Sequence, residues 1–317
     1  MSVVRRRNWL CRIHCAFDAF HNGQLTTDNG PLMTNDYLTR SPLFVIAGPC
    51  VIESLDQCLH IATHMKGVCE KLGIAYVFKA SFDKANRSSN SSFRGPGLED
   101  GLVVLKQVKE TLNIPVLTDV HETYQVAEAA TVVDILQIPA FLARQTDLLH
   151  AAGRSGAAVN IKKGQFMSPQ EMGNAVAKVK AARASIEDAS LDTRHSALGN
   201  PIMLTERGSF FGYNRLVNDF TGLSVMKDFK VPVIFDVTHS TQQPAGLGGS
   251  SGGNPQYAPM LARAAIATGC VDGLFLECHP DPKNAKSDAA TVLGLDMIEE
   301  LLEKCCDIAA VMKPANL

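Results

Sequence analysis

No stretch of the 317-residue chain approaches the ~20 consecutive apolar residues of a membrane-spanning helix, so no transmembrane helix is expected. Charge of one sign is not in excess either. Lys and Arg number 30 against 32 Asp and Glu, a formal net charge of −2, and the broadly basic surface of a nucleic-acid binder is missing. The nine cysteines, at positions 11, 15, 50, 58, 69, 270, 278, 305 and 306, include no C-x-x-C pair and no repeated spacing. Their odd number excludes a complete disulfide framework and favours free thiols in a reducing compartment. The G-x-G-x-x-G dinucleotide fingerprint is absent from the turn after the first apolar run, AGPCVIES (47–54). That counts against an open doubly wound sheet.

What is present is globular composition, 46% hydrophobic and 20% charged, long enough for one large domain or two ordinary ones. Residues 1–17 carry four arginines and no acid, a faint likeness to an organellar transit peptide, and residues 21–40 are polar and aperiodic. Residues 1–40 therefore read as a poorly ordered N-terminal extension, with Met33 as good a starting point as Met1.

From residue 43 onward short apolar, β-branched runs recur: LFVIAGPC (43–50), AYVFKASF (75–82), PVLTDV (115–120), DILQIPA (134–140), AVNIKKG (158–164), IMLTERG (202–208), PVIFDVTHS (232–240) and GLFLECHP (273–280). Segments with helical spacing separate them, such as SLDQCLHIATHMKGVCEKLG and NPQYAPMLARAAIATG, and another, GLDMIEELLEKCCDIAAVM, follows the last. Continuous apolar strands alternating with amphipathic helices predict a parallel sheet covered by helices. Eight such units predict a (β/α)8 TIM barrel over 41–317, since that fold takes about 250 residues.

Active sites of this fold lie at the C-terminal ends of the strands. Reading those ends gives Cys50; Lys79, Ser81 and Lys84; Asp119 and His121; Gln137; Lys162 and Lys163; Glu206 and Arg207; Asp236 and His239; Glu277 and His279. Buried charges are costly unless they meet each other, a metal, water or a charged ligand. Lys79, Lys84, Arg87, Lys162, Lys163 and Arg207 would converge on one mouth, a self-repelling cluster unless anions fill it. So many cations suit two anionic substrates, or one with several charges. The GPG at 95–97 and Ser88, Ser89, Ser91 and Ser92 add amides and hydroxyls suited to phosphate, whereas Arg94 alone reads as a solvated loop charge. Cys50, His239 and Glu277 end strands one, seven and eight, neighbours in a closed barrel, and Asp288 follows soon after. That mixed donor set suits a divalent transition ion such as Fe, Mn, Co or Zn, although a buried cysteine is more often a small hydrophobe.

The runs AGPCVIES, FKASFDKANRSSNSSFRGPGLEDG, TDVHE, QIPAFLARQTDLL, NIKKGQF, TERGSFFGYNRLV, FDVTHSTQQPAGLGGSSGG and ECHPDPKNAKSDAA, in this order, resemble the 3-deoxy-D-manno-octulosonate 8-phosphate synthase family from residue 43 to about 300. The resemblance implies a (β/α)8 barrel, usually homotetrameric and in bacteria cytoplasmic. It implies an enzyme that condenses phosphoenolpyruvate with D-arabinose 5-phosphate and water, releasing phosphate, to supply the acid sugar of lipopolysaccharide.

Carried over by motif, Lys79, Ser81 and Lys84 would hold the phosphoenolpyruvate carboxylate, and Lys162 and Arg207 its phosphate. Arg87 and Ser88 would serve the sugar phosphate, in the family from a neighbouring subunit, while Asn86 and Asp119 line the pentose with His121 close by. The family has metal-dependent members with cysteine after the GP dipeptide and metal-independent ones with asparagine. Cys50 implies the former, with His239, Glu277 and Asp288 as further ligands and Asp288 also a candidate base. A sibling family that uses erythrose 4-phosphate typically has K-P-R-T where this chain has KANR, which favours the pentose. A Schiff-base aldolase using Lys79 or Lys162, and a non-catalytic sugar-phosphate sensor, are the competing readings. The segment 183–200 is longer than in typical relatives and, joining a helix to strand six, is expected on the face remote from the site.

Overall fold

The computed structural model describes residues 37–39, 41–87, 91–186, 200–210, 214–244 and 251–312. Nearly all of the expected 1–40 extension, Ser88, and most of the 183–200 segment lie outside the described residues.

Apart from two-residue strands in some connections, strands and helices alternate through the barrel: β1 (Phe44–Gly48), α1 (Leu55–Leu72), β2 (Ala75–Lys79), α2 (Leu98–Leu112), β3 (Val116–Asp119), α3 (Thr123–Ala129), β4 (Ile135–Ile138), α4 (Thr146–Arg154), β5 (Ala158–Lys162), α5 (Met172–Ala184), β6 (Ile202–Glu206), α6 (Thr221–Lys227), β7 (Val233–Asp236), α7 (Ala258–Ala267), β8 (Gly273–His279) and α8 (Ile298–Met312). Each strand pairs in parallel with the next. The circle closes where β8 pairs in parallel with β1, from Phe44 opposite Gly273 to Gly48 opposite Glu277. This is a (β/α)8 barrel, and each of the eight apolar runs contains one of its strands.

Side chains of a strand alternate between its two faces, and here both faces are buried, which is why the runs read as continuously apolar. Val45, Ala47, Tyr76, Phe78, Leu204, Phe235, Leu274 and Leu276 face outward onto the helices. Phe44, Ile46, Val77, Leu117, Ile135, Ala158, Met203, Ile234 and Phe275 pack inside the barrel. Leu38, from a short turn before β1, joins that inner cluster, and the Tyr37 hydroxyl fixes the turn by donating to the Tyr76 carbonyl at 3.0 Å.

Further along every strand but β1 the same inward parity turns polar. It brings Lys79, Asp119, Gln137, Asn160, Lys162, Thr205, Asp236 and Glu277 to the inside of the barrel, all buried. Asn160 links this layer by donating to Gln137 Oε1 at 3.0 Å and accepting from Thr205 Oγ1 at 2.7 Å. Gly48 is required at its place: a Cβ there would sit 2.0 Å from the Lys79 carbonyl oxygen.

The connection after β1 is anchored by the start of α1, where Ser54 Oγ accepts from the Gln57 amide at 3.2 Å, an N-cap. At the opposite end of the barrel, Arg183 donates to the carbonyls of Asn200 at 2.7 Å and Ala157 at 3.0 Å. These contacts hold the ends of the 183–200 segment beside the N-terminal ends of β5 and β6, away from the strand ends that carry the polar layer.

Candidate active site

The cations at the mouth do not stand alone. Lys79 Nζ lies 2.5 Å from Glu277 Oε1 and donates to the Cys50 carbonyl at 2.8 Å. Lys84 Nζ approaches the same carboxylate oxygen at 3.9 Å. Lys162 Nζ meets Asp236 Oδ2 at 2.6 Å and lies over the Phe275 ring, 3.7 Å from its centroid. Carboxylates from β7 and β8 therefore offset much of the repulsion that the sequence alone assigns to the cluster.

Their protonation follows from burial and from these partners. Burial opposes ionisation of Glu277, but Lys79, His239, Lys84 and Lys162 hold it well below the usual carboxylate range. Burial likewise opposes the charge of Lys84, yet Cys50, Glu277, Asp119 and Asp288 raise it above the ordinary lysine value. For Lys162 burial wins over Asp236 and Glu277 and lowers it.

A second group occupies the end of β3. Ser81 Oγ donates to Asp119 Oδ1, and Asp119 Oδ2 lies 3.0 Å from His121 Nε2. Burial raises the Asp119 pKa, but the hydrogen bond from His121 and the charges of Lys84 and His121 bring it well below the usual range. The His121 Nδ1 atom is buried and has no partner among the described residues. Arg94, by contrast, forks onto the Asp83 carboxylate outside the site and is 58% exposed, a structural ion pair.

Between these groups opens a cavity of about 760 Å³, lined among others by Lys79, Lys84, Asn86, Arg87, Asp119, His121, Lys162, Arg207, His239, Glu277 and Asp288. Two arginines supply incompletely used forks. Arg207 donates from Nη2 to Gln242 Oε1 at 2.9 Å while its Nη1 is buried with no partner among the described residues. Arg87 donates from Nε to the Phe93 carbonyl at 3.0 Å and its Nη2 is likewise unpartnered among the described residues. A buried donor without an acceptor costs about 1–3 kcal/mol, more when charged, so both point to an anionic oxygen supplied from outside the chain.

On the other side of Lys79 lies the thiol. Cys50 Sγ is 3.0 Å from Asp288 Oδ2 and 2.9 Å from Ser287 Oγ, and donor atoms of Cys50, Glu277 and Asp288 all lie within 4.8 Å of one another. Burial, then Asp288 and Glu277, push the Cys50 thiol well up. His239 stands just outside that trio, its Nε2 3.7 Å from Glu277 Oε2 and 3.9 Å from Asp288 Oδ2. Its Nδ1 is 2.8 Å from Asp236 Oδ2, a partner that places the ring proton on Nδ1 and leaves Nε2 free to coordinate.

This donor set fits a divalent transition ion. Glu277 Oε2 is a buried carboxylate oxygen with no hydrogen-bond partner among the described residues, facing a thiol and an imidazole nitrogen. A bound cation would satisfy that oxygen and reverse the cost of ionising the thiol.

The structure thus gathers Lys79, Ser81, Lys84, Asn86, Arg87, Asp119, His121, Lys162, Arg207, Cys50, His239, Glu277 and Asp288 at one end of the barrel, and Ser88 lies outside the described residues. Lys163 is a correction. It has the opposite parity to Lys162, turns outward, and contacts Ser209 Oγ at 3.0 Å and Glu206 Oε2 at 3.6 Å. Gln242 was missed: it bridges Arg207 and Asp288 Oδ1, the latter at 3.3 Å, and its only trace in the sequence is a polar side chain three places after His239.

Residues 39–313 match the model of the DAHP synthetase I family, and the chain belongs to that family. Within it the chain is 52% identical over 277 residues to the 2-dehydro-3-deoxyphosphooctonate aldolase of Desulfatibacillum aliphaticivorans, 87% of this chain and 94% of that one. It is 52% identical over 273 residues to the enzyme of the same name from Xanthomonas campestris pv. campestris (strain B100), 86% and 93% of the two chains. The counterpart from Desulfotalea psychrophila is 51% identical over 272 residues, 86% and 91%.

Proposed function

We propose that the protein condenses phosphoenolpyruvate with D-arabinose 5-phosphate and water to give 3-deoxy-D-manno-octulosonate 8-phosphate and inorganic phosphate, the activity of 3-deoxy-8-phosphooctulonate synthases, for lipopolysaccharide biosynthesis. The observation that carries this reading is the pair of half-used arginines, Arg207 and Arg87, in one cavity with three lysines. Two separate anion positions are what two phosphorylated substrates need, and the relatives at 52% identity bear the name of that enzyme.

Lys79, Ser81 and Lys84 take the carboxylate of phosphoenolpyruvate, and Lys162 and Arg207 its phosphate. Arg87 and Ser88 take the phosphate of the pentose, in this reading from the same chain whose cavity Arg87 lines rather than from a neighbouring subunit, and the pentose hydroxyls meet Asn86 and Asp119. Held in this way, C3 of phosphoenolpyruvate faces the aldehyde carbon. A new bond joins them, water adds at C2, and the resulting hemiketal phosphate breaks its C–O bond to release phosphate. Positioning of this kind removes several kcal/mol of barrier, about 7–11 at its best. His121, held by Asp119, serves proton transfer at the aldehyde oxygen, and Asp288 is a candidate base for the water.

Cys50, His239, Glu277 and Asp288 would hold a divalent metal, of the Fe, Mn, Co or Zn type, which supplies Lewis acidity and orientation at this mouth. The synthase domain spans residues 41–317 with 1–40 as an extension, it assembles as a homotetramer, and it works in the cytoplasm, an organellar address being the alternative if residues 1–17 act as a transit peptide. No helix among the described residues is long and apolar enough to cross a membrane.

The test uses phosphoenolpyruvate labelled with ¹³C at C3. With D-arabinose 5-phosphate the label should appear as a methylene bonded to the former pentose C1 in the ¹³C spectrum. Phosphate release without that new carbon–carbon bond would reduce the activity to hydrolysis and reject the reading.

A further inference from the structure

Cys50 and Asp288 belong to different connections, the one after β1 and the one after β8, and Asp288 sits in a left-handed backbone conformation, φ +50°. Their donor atoms nevertheless lie 3.0 Å apart. Something must hold the two connections together, and a carboxylate that takes no part in the site described above is placed to do so. Glu53, three residues after Cys50, accepts the backbone N–H of Lys286, two residues before Asp288, on Oε1 at 2.9 Å. The same oxygen lies 3.4 Å from Nε2 of His279, the last residue of β8.

The tautomer of His279 follows from its other nitrogen. Nδ1 accepts the Asp281 N–H at 2.9 Å, so the ring proton of the neutral form is on Nε2, directed to Glu53 and to the Gln57 amide 2.7 Å away. Gln57 Oε1 has no partner among the described residues, and a donating Nε2–H calls for that oxygen rather than the amide nitrogen. Glu53, Gln57 and His279 thus tie the first turn of α1 and the connection after β1 to the end of β8 and the connection after it.

We infer that Glu53 is a positioning residue for the metal site: through the Lys286 amide and the His279 ring it sets the approach of Asp288 to Cys50. It touches neither substrate nor metal, and its role in metal binding rests on the metal reading given above. Its conservative variant, Glu53→Gln, keeps an oxygen for the Lys286 amide, whereas Glu53→Ala keeps none.

The experiment compares the full-length parent, Glu53→Ala and Glu53→Gln in two arms. In the first, chelated protein is titrated with Co²⁺ and thiolate-to-cobalt absorption is read against a competing chelator. The alanine variant should bind Co²⁺ about 10- to 100-fold more weakly, the loss typical when a supporting residue of a metal site is removed, and the glutamine variant should recover most of it. In the second, metal-free protein is alkylated and modification of Cys50 is followed by peptide mass spectrometry. Cys50 should react at least several-fold faster in Glu53→Ala and at the parental rate in Glu53→Gln. Parental behaviour of the alanine variant in both arms, or glutamine behaving like alanine, would overturn the inference. Faster alkylation of Glu53→Ala in a protein whose parent takes up no Co²⁺ would discard the metal while upholding Glu53 as the residue that positions Asp288 against Cys50.

Discussion

Lys79 and Glu277 form an ion pair across the inside of the barrel, Nζ to Oε1 2.5 Å, with both side chains 1% exposed. Gly48, on the strand between theirs, lets the Lys79 backbone approach closely. Replacing Lys79 with Ala leaves a buried carboxylate with only more distant partners, His239 at 3.7 Å and Lys84 at 3.9 Å, and removing one partner of a buried pair costs about 3–5 kcal/mol. Thermal unfolding should show the loss in Lys79→Ala, and Lys79→Ala combined with Glu277→Gln should recover part of it.

Gly48→Ala should act on the same pair indirectly. The added Cβ meets backbone, the Lys79 carbonyl at 2.0 Å, so β1 and β2 must separate. Overpacking of this kind costs about 1–3 kcal/mol. A lowered urea midpoint together with reduced turnover is expected; parental values of both would contradict the close approach.

Arg207→Lys should fail to replace Arg207. A lysine cannot make the Gln242 bond and present a second donor at once. With about 1.5–3 kcal/mol for a charge-assisted hydrogen bond, KM for phosphoenolpyruvate should rise roughly 10- to 150-fold in both Arg207→Ala and Arg207→Lys. Steady-state kinetics with the pentose saturating would check this.

Asp119 gives a pH prediction. Its folded pKa lies well below the ordinary value because His121 and Lys84 overcome burial. A carboxylate depressed in this way contributes stability that is fully present above its unfolded value of about 4 and is lost as pH falls through the lower folded value. Asp119→Asn should therefore be less stable than the parent at pH 7, with the gap narrowing below about pH 4. A gap independent of pH in urea unfolding would contradict the pairing.

Cys50→Ala should lose retained metal and most activity, and exhaustive chelation of the parent should do the same without altering the fold. Metal analysis of the purified proteins beside their rates checks both, and a parent fully active after chelation would remove the metal from the site.

The barrel was legible because buried parallel strands appear as unbroken apolar runs: GLFLECHP contains β8, Gly273–His279, almost end to end. The strand-end rule then located most of the site. It could not separate Lys162 from Lys163, adjacent and chemically alike, because only the face of the strand decides which one enters the barrel. The alternation was readable in principle, since Ala158, Asn160 and Lys162 share the inward face. The compensating pairs were not legible. Lys79 and Glu277 are 198 residues apart and Lys162 and Asp236 are 74 apart, so their contacts exist only once the barrel closes. Gln242 and Glu53 escaped for a related reason, being neutral or ordinary loop residues whose importance lies in what they touch.

The central claim is tested most directly by phosphate release from phosphoenolpyruvate, measured with D-arabinose 5-phosphate and with D-erythrose 4-phosphate, after chelation and again with Mn²⁺ restored. Release that requires both the pentose and the metal is the predicted result. Equal release with the tetrose, or none with either sugar in the presence of metal, would contradict it.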